Sequence, residues 1–154
     1  MKTSKLALKL IEECKQTQSK KLDLGNCGLR EIPLEIFELT WLEELIISNF
    51  YWDYLQNTLV KSKNSGGINF ISSLPEEWSK LNRLRKLFIG GSIYYSGSQW
   101  NIKSYSSLSS LSSIEHLDLS GNQLRELPKE IVQLTNLKQL DLSKNQFQEL
   151  PKDI

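Results

Sequence analysis

Apolar side chains return along this chain with a spacing of 23 residues. Setting IEHLDLSGNQLRELPKEIVQLTN (114–136) over LKQLDLSKNQFQELPKDI (137–154) defines the frame, and SKKLDLGNCGLREIPLEIFELTW (19–41) falls into it. Five units start at Ser19, Leu42, Leu84, Ile114 and Leu137. Within a unit, apolar residues at positions 4 and 6 alternate with polar ones, which predicts a short strand with both on one face. Asparagine at position 9 (Asn122, Asn145) can give its amide to backbone groups where the chain leaves the strand. All four prolines, Pro33, Pro75, Pro128 and Pro151, occupy one unit position just past the turn. There a missing N–H costs little and a fixed φ helps. No single unit can bury its own leucines, so stability has to come from stacking neighbours.

The first 18 residues follow a different period. Leu6, Leu10 and Cys14, with Ala7 and Ile11, make an apolar stripe at helical spacing, and Ser4 is placed to cap the helix N-terminus. A solenoid's first unit exposes an apolar end, so this helix is expected to cap it. The chain stops at LPKDI, inside a unit, which predicts either a longer parent protein or a degenerate end of the array.

Two units are too long. The second runs 42 residues to the next start, 19 more than 23, and the surplus is read at about 53–73, between Trp52 and Leu74. The third carries an excess of 7, read at about 95–107, between Tyr94 and Leu108. Leaving from the same edge of the unit, the two insertions are expected side by side on one rim. Loops beyond about 12 residues in a compact domain are usually functional or disordered. Residues 50–105 hold 11 of the 14 aromatics, which is too apolar for a solvated linker. These rings either fold back on the solenoid or face a partner, since clustered Tyr and Trp are enriched at interface hot spots. Tyr95, Trp100 and Tyr105 are expected to include exposed members.

The outward strand positions 3 and 5 read Lys21 and Asp23, Glu44 and Ile46, Lys86 and Phe88, His116 and Asp118, Gln139 and Asp141. An apolar pair, Ile46 and Phe88, is centred in a charged row and is expected to form a small contact patch on the concave face. His116 and Asp118 share that face, but neighbouring units offer no nucleophile, so His116 reads as a solvated surface residue. At position 9 the small Cys27 can stand in for asparagine. Phe50 and Ser92 fall at that position in the long units, and a phenylalanine there predicts a local deviation.

Composition narrows the function classes. Nineteen basic residues against eighteen acidic leave the 154-residue chain near neutral, unlike a nucleic-acid or anionic-membrane binder. Two cysteines in no C-x-x-C pattern and a single histidine argue against a zinc site and point to reduced thiols in a cytoplasmic setting. Lys9, Glu12 and Glu13 cut short any signal-peptide core, and no stretch reaches the roughly 20 apolar residues of a membrane span. No phosphate loop occurs around either Gly-Gly pair, and no cofactor is expected.

The pattern L-x-x-L-x-L-x-x-N-x-L followed by x-x-L-P-x-x-I-x-x-L resembles the leucine-rich-repeat family, from about residue 16 onward. That resemblance implies an α/β solenoid with a short parallel sheet on its concave face, a capping helix and, here, two long insertions. The stretch LALKLIEECKQTQSKKLDLGNCGLREIPLEIFELTWLEEL is similar to the N-terminal entry of repeat domains in bacterial Roco-type proteins. There the repeats precede a GTPase domain and its dimerisation module. The implied function is non-enzymatic binding of a protein partner, through Ile46, Phe88, Glu44, Lys86, His116 and Asp118 on the concave face and Tyr95, Trp100 and Tyr105 on the rim. Two alternatives are cis-regulation of an attached Roco-type GTPase, and substrate recognition for a bacterial effector enzyme whose catalytic domain lies outside this chain.

Overall fold

The computed structural model describes residues 4–91 and 100–149. Helix α1 (Lys5–Thr17) comes first, and the Ser4 hydroxyl accepts from the Ala7 N–H at 3.4 Å. It ends where Gln18 turns left-handed at φ 53° and returns its N–H to the Cys14 carbonyl. Ala7, Ile11 and Cys14 on its inner face are buried, and the helix packs on the first repeat strand.

The strands then run β1 (Lys21–Asp23), β2 (Glu44–Ile46), β3 (Phe50–Asp53), β4 (Thr58–Lys61), β5 (Lys86–Phe88), β6 (His116–Asp118) and β7 (Gln139–Asp141). Five of them form one parallel sheet in the order β1-β2-β5-β6-β7, while β3 and β4 pair as a separate antiparallel hairpin. In the sheet, Leu22, Leu45, Leu87, Leu117 and Leu140 stand in one register row and point inward. Short 3-10 turns at Leu34–Glu38, Glu77–Lys80, Ser106–Ser110 and Lys129–Gln133 stack on one another behind the sheet. The core fills the space between, with Trp78 fully buried and its ring edge-on to Phe37 at 5.4 Å.

Asparagines bind successive units together. Asn145 accepts from the Asn122 and Leu124 N–H groups and donates to the Leu119 and Leu142 carbonyls. Asn69 repeats that set one for one. Its Oδ1 takes the Cys27 and Leu29 N–H groups at 3.1 and 2.8 Å, and its Nδ2 reaches the Leu24 and Ile47 carbonyls at 2.8 and 2.7 Å. Asn69 is therefore the position-9 asparagine of the second unit, and Phe50 is not.

The boundary expected for the first insertion is corrected accordingly. The surplus lies between Ile47 and Asn69, not at 53–73, because pairing resumes at NFISSLP, with Ile71 buried where the first unit has Leu29. The second insertion is also over earlier than 107. Tyr105 precedes the 3-10 turn at the place Pro33 and Pro128 hold in their units.

Candidate protein-binding surface

The first insertion does not stand on a rim. It folds into the β3–β4 hairpin and lies across the concave face of the sheet. Aromatic and β-branched residues favour both strands, which pair as Phe50–Lys61, Tyr51–Val60, Trp52–Leu59 and Asp53–Thr58. The turn is made by Asp53, whose carboxylate accepts from the Leu55 and Gln56 N–H groups at 2.9 and 3.0 Å, and by Asn57 at φ 50°.

Strand alternation sends Tyr51 toward the sheet and Trp52 away from it. The Tyr51 ring sits 4.7 Å from Phe88, and Tyr51, Ile46, Phe88 and Val60 form their own apolar cluster. Farther along, the Tyr54 hydroxyl donates to the Asp141 carboxylate at 3.2 Å and its ring meets His116 at 5.1 Å. The outer side and tip stay open. Leu55 is 89% exposed, Tyr54 42% and Trp52 37%.

This placement corrects several expected contact residues. Ile46 and Phe88 are buried at 0% and 4%, because the hairpin covers them. His116 and Asp118, read as a solvated row, are buried too. Glu44 and Lys86 remain half-buried in a charged chain, with Lys21 2.7 Å and Lys86 3.7 Å from the Glu44 carboxylate. Trp100 and Tyr105, expected to include exposed members, lie inside the solenoid body. The Trp100 indole N–H donates to the Asn69 carbonyl at 2.9 Å. Tyr95 lies outside the described residues.

The exposed trio Trp52, Tyr54 and Leu55 was missed as a site, although the signal is in the sequence. FYWD and TLVK are strand-like runs separated by four residues, with Asp and Asn at the turn.

The hairpin sets the electrostatics beneath it. Burial, followed by the Lys86 ammonium, holds the His116 pKa below the usual histidine value, against opposing pulls from Asp141, a side-chain hydrogen bond with Gln139, and Glu44. His116 Nε2 is buried without a hydrogen-bond partner. Burial pushes the Asp118 carboxyl up to about 6, although the Ser120 N–H donates to it at 2.8 Å. Burial and the Asp141 carboxylate push the Tyr54 hydroxyl up to about 12.

Asp118 makes stability depend on pH. Its folded pKa lies above its unfolded one, so the folded state holds the proton more tightly. The contribution is complete below about pH 4 and is lost as pH rises through about 6. Asp118→Asn keeps the acceptor for Ser120 and removes the titration. Urea melts from pH 4 to pH 7.5 are expected to show wild type losing on the order of 3 kcal/mol relative to this variant. Parallel pH profiles would contradict that burial.

Clefts flank the hairpin on both sides. One of about 320 Å³ is lined by Trp52, Tyr54, Leu59, Asp118 and Asp141. The other, of about 400 Å³, is lined by Lys21, Glu44, Lys86, Leu55 and His116. Among the described residues, no group of His, Cys, Asp and Glu is arranged to hold a metal ion, and no helix is long and apolar enough to cross a membrane.

Parallel strands on one face, 3-10 turns on the other and an asparagine ladder between them define a leucine-rich-repeat solenoid. Residues 112–152 match the family described as leucine rich repeats (2 copies). A leucine-rich-repeat protein of Leptospira interrogans superposes at a TM-score of 0.53 with 28% identity, covering 93% of this chain and 36% of that one. An internalin of Listeria monocytogenes shares the fold at a TM-score of 0.55 and 18% identity, covering 94% of this chain and 44% of that one. The chain thus spans less than half the length of either structure. No curated protein matches it.

Proposed function

We propose that this chain is a non-enzymatic protein-recognition module whose contact surface is the outer side and tip of the β3–β4 hairpin. The observation that carries this reading is the exposure of Leu55, Tyr54 and Trp52 together at the end of a hairpin seated on a regular sheet. Aromatic anchors on a rigid base bind with little ordering cost. Repeat solenoids generally use the concave side, and the hairpin moves the contact surface outward from it. Glu44 and Lys86 border the cleft beside the tip and belong to the polar rim. Ile46, Phe88, His116 and Asp118 support the hairpin from below.

The test is affinity capture from the source cell with wild type and the Trp52→Ala/Leu55→Asp double variant. Capture of the partner is expected to fall at least about tenfold with an unchanged thermal melt, since exposed substitutions rarely shift stability by more than about 0.5 kcal/mol. Undiminished capture by the double variant overturns the reading. The Roco-type origin rests on the N-terminal residues alone. A phosphate-loop sequence encoded in the same gene after residue 154 would support it, and a cysteine-centred catalytic domain there would support the effector alternative.

A further inference from the structure

The cleft of about 400 Å³ beside the hairpin tip takes its floor from strand position 3. Lys21, Glu44, Lys86, His116 and Gln139 hold that position in the five parallel strands, each in register with the next. They stand at the N-terminal ends of the strands. Gly91, Ser120 and Ser143 follow the C-terminal ends and line the other cleft. Trp52 and Leu55 supply an apolar outer wall.

The charges of this row are unevenly spent. Lys21 lies 2.7 Å from the Glu44 carboxylate and also pairs with the Tyr51 hydroxyl. Lys86 reaches the same carboxylate only at 3.7 Å, beyond hydrogen-bond length, with its side chain 42% exposed. Asp53, the other acid of the cleft, is occupied by the Leu55 and Gln56 N–H groups. An ammonium has three hydrogens to give, so Lys86 keeps donor capacity for a further acceptor.

Its register neighbour His116 is unspent too. The imidazole is buried between the rings of Phe88 at 4.9 Å and Tyr54 at 5.1 Å. A side-chain hydrogen bond with Gln139 leaves Nε2 as the nitrogen without a partner. An unpaired buried polar atom is costly and calls for an explanation. Either ring nitrogen can carry the hydrogen, and an anion holds it on Nε2. An ammonium and an imidazole on adjacent strands therefore match the two oxygens of one carboxylate. The open side of the cleft is the exposed tip itself, so a segment that packs on the tip reaches both groups.

Resting on the recognition role above, we propose that this cleft receives an acidic side chain of the protein partner, its carboxylate bridging Lys86 Nζ and His116 Nε2. The residue beside it in the partner is apolar and lies on Trp52 and Leu55.

His116 is the only histidine of the chain, so its imidazole NMR signals report on the site without ambiguity. The probe is the tripeptide acetyl-Leu-Glu-Leu-amide, titrated into the whole chain. Saturable binding that moves the Nε2 resonance is expected, with acetyl-Leu-Gln-Leu-amide at least about tenfold weaker. Lys86→Gln is expected to erase that preference and leave the thermal melt unchanged, since the side chain is half-exposed. Free acetate has nothing to lay on the tip and should bind at least about tenfold more weakly than the glutamate peptide. Equal affinity for the glutamate and glutamine peptides, still His116 signals, or no binding at millimolar peptide each overturn the proposal. Acetate binding as tightly as the peptide overturns it as well, by making the cleft a small-acid site. None of these outcomes touches capture through Trp52 and Leu55, so a failed acid pocket and a failed recognition surface are told apart.

Discussion

Replacing Asn69 with alanine is expected to cost about 4 kcal/mol, a large part of the roughly 5–15 kcal/mol that holds a domain of this size together. Four backbone groups lose their partner at once: the N–H groups of Cys27 and Leu29, and the carbonyls of Leu24 and Ile47. The site is fully buried, so water cannot take over. Asn145 makes the same set of bonds at the half-exposed end of the described solenoid. Asn145→Ala is expected to cost less, about 2 kcal/mol, because water reaches the place of the half-exposed side chain although Leu119 and Asn122 are themselves buried. Urea denaturation of the two variants measures the difference, and equal costs would show that burial does not set the value of the ladder. Removing residues 56–70 takes Asn69 away with half of the hairpin, so that deletion is expected to aggregate. Removing 49–67 leaves Asn69 in register.

Trp100→Ala is expected to destabilise the fold by about 3–5 kcal/mol, the range for truncating a fully buried aromatic. The ring is 0% exposed, and its N–H ties the third unit to the Asn69 carbonyl of the second. That carbonyl keeps a second donor, the Asn49 amide at 3.2 Å, so most of the loss is the cavity and not the hydrogen bond. Trp100→Phe should accordingly recover the larger share. A surface tryptophan would behave differently, with a change within about 0.5 kcal/mol. A melting temperature that hardly moves in Trp100→Ala would place the ring outside the core.

Much of the scaffold was legible in the chain. The 23-residue period located the strands, because each unit makes the same contacts with its neighbours and so repeats the same residues. Ser4 announced the start of α1, and the position-4 leucines fell into one row of the sheet. The end of the first insertion was legible too and was misplaced. N-x-I-x-x-L-P at 69–75 repeats the asparagine-to-proline spacing of the regular units, but Phe50 was counted into position 9 by distance from the strand alone.

The site resisted reading for a different reason. Alternation correctly put Ile46 and Phe88 on the outward face of their strands, yet nothing local says whether an outward face meets water or another segment. Trp100 and Tyr105 lie in an irregular stretch where no period assigns an inside and an outside.

By itself, the sequence determined the repeat, the strand register, the proline-marked turns and the N-terminal helix, all of which depend on spacing along the chain. Only the tertiary structure decided that the surplus of the second unit turns back over the concave face. Its inward tyrosine, Tyr51, finds apolar surface there, at Ile46 and Phe88, that the flanking units lack. A contact of that kind depends on matching two surfaces brought together by folding, and no periodicity encodes it.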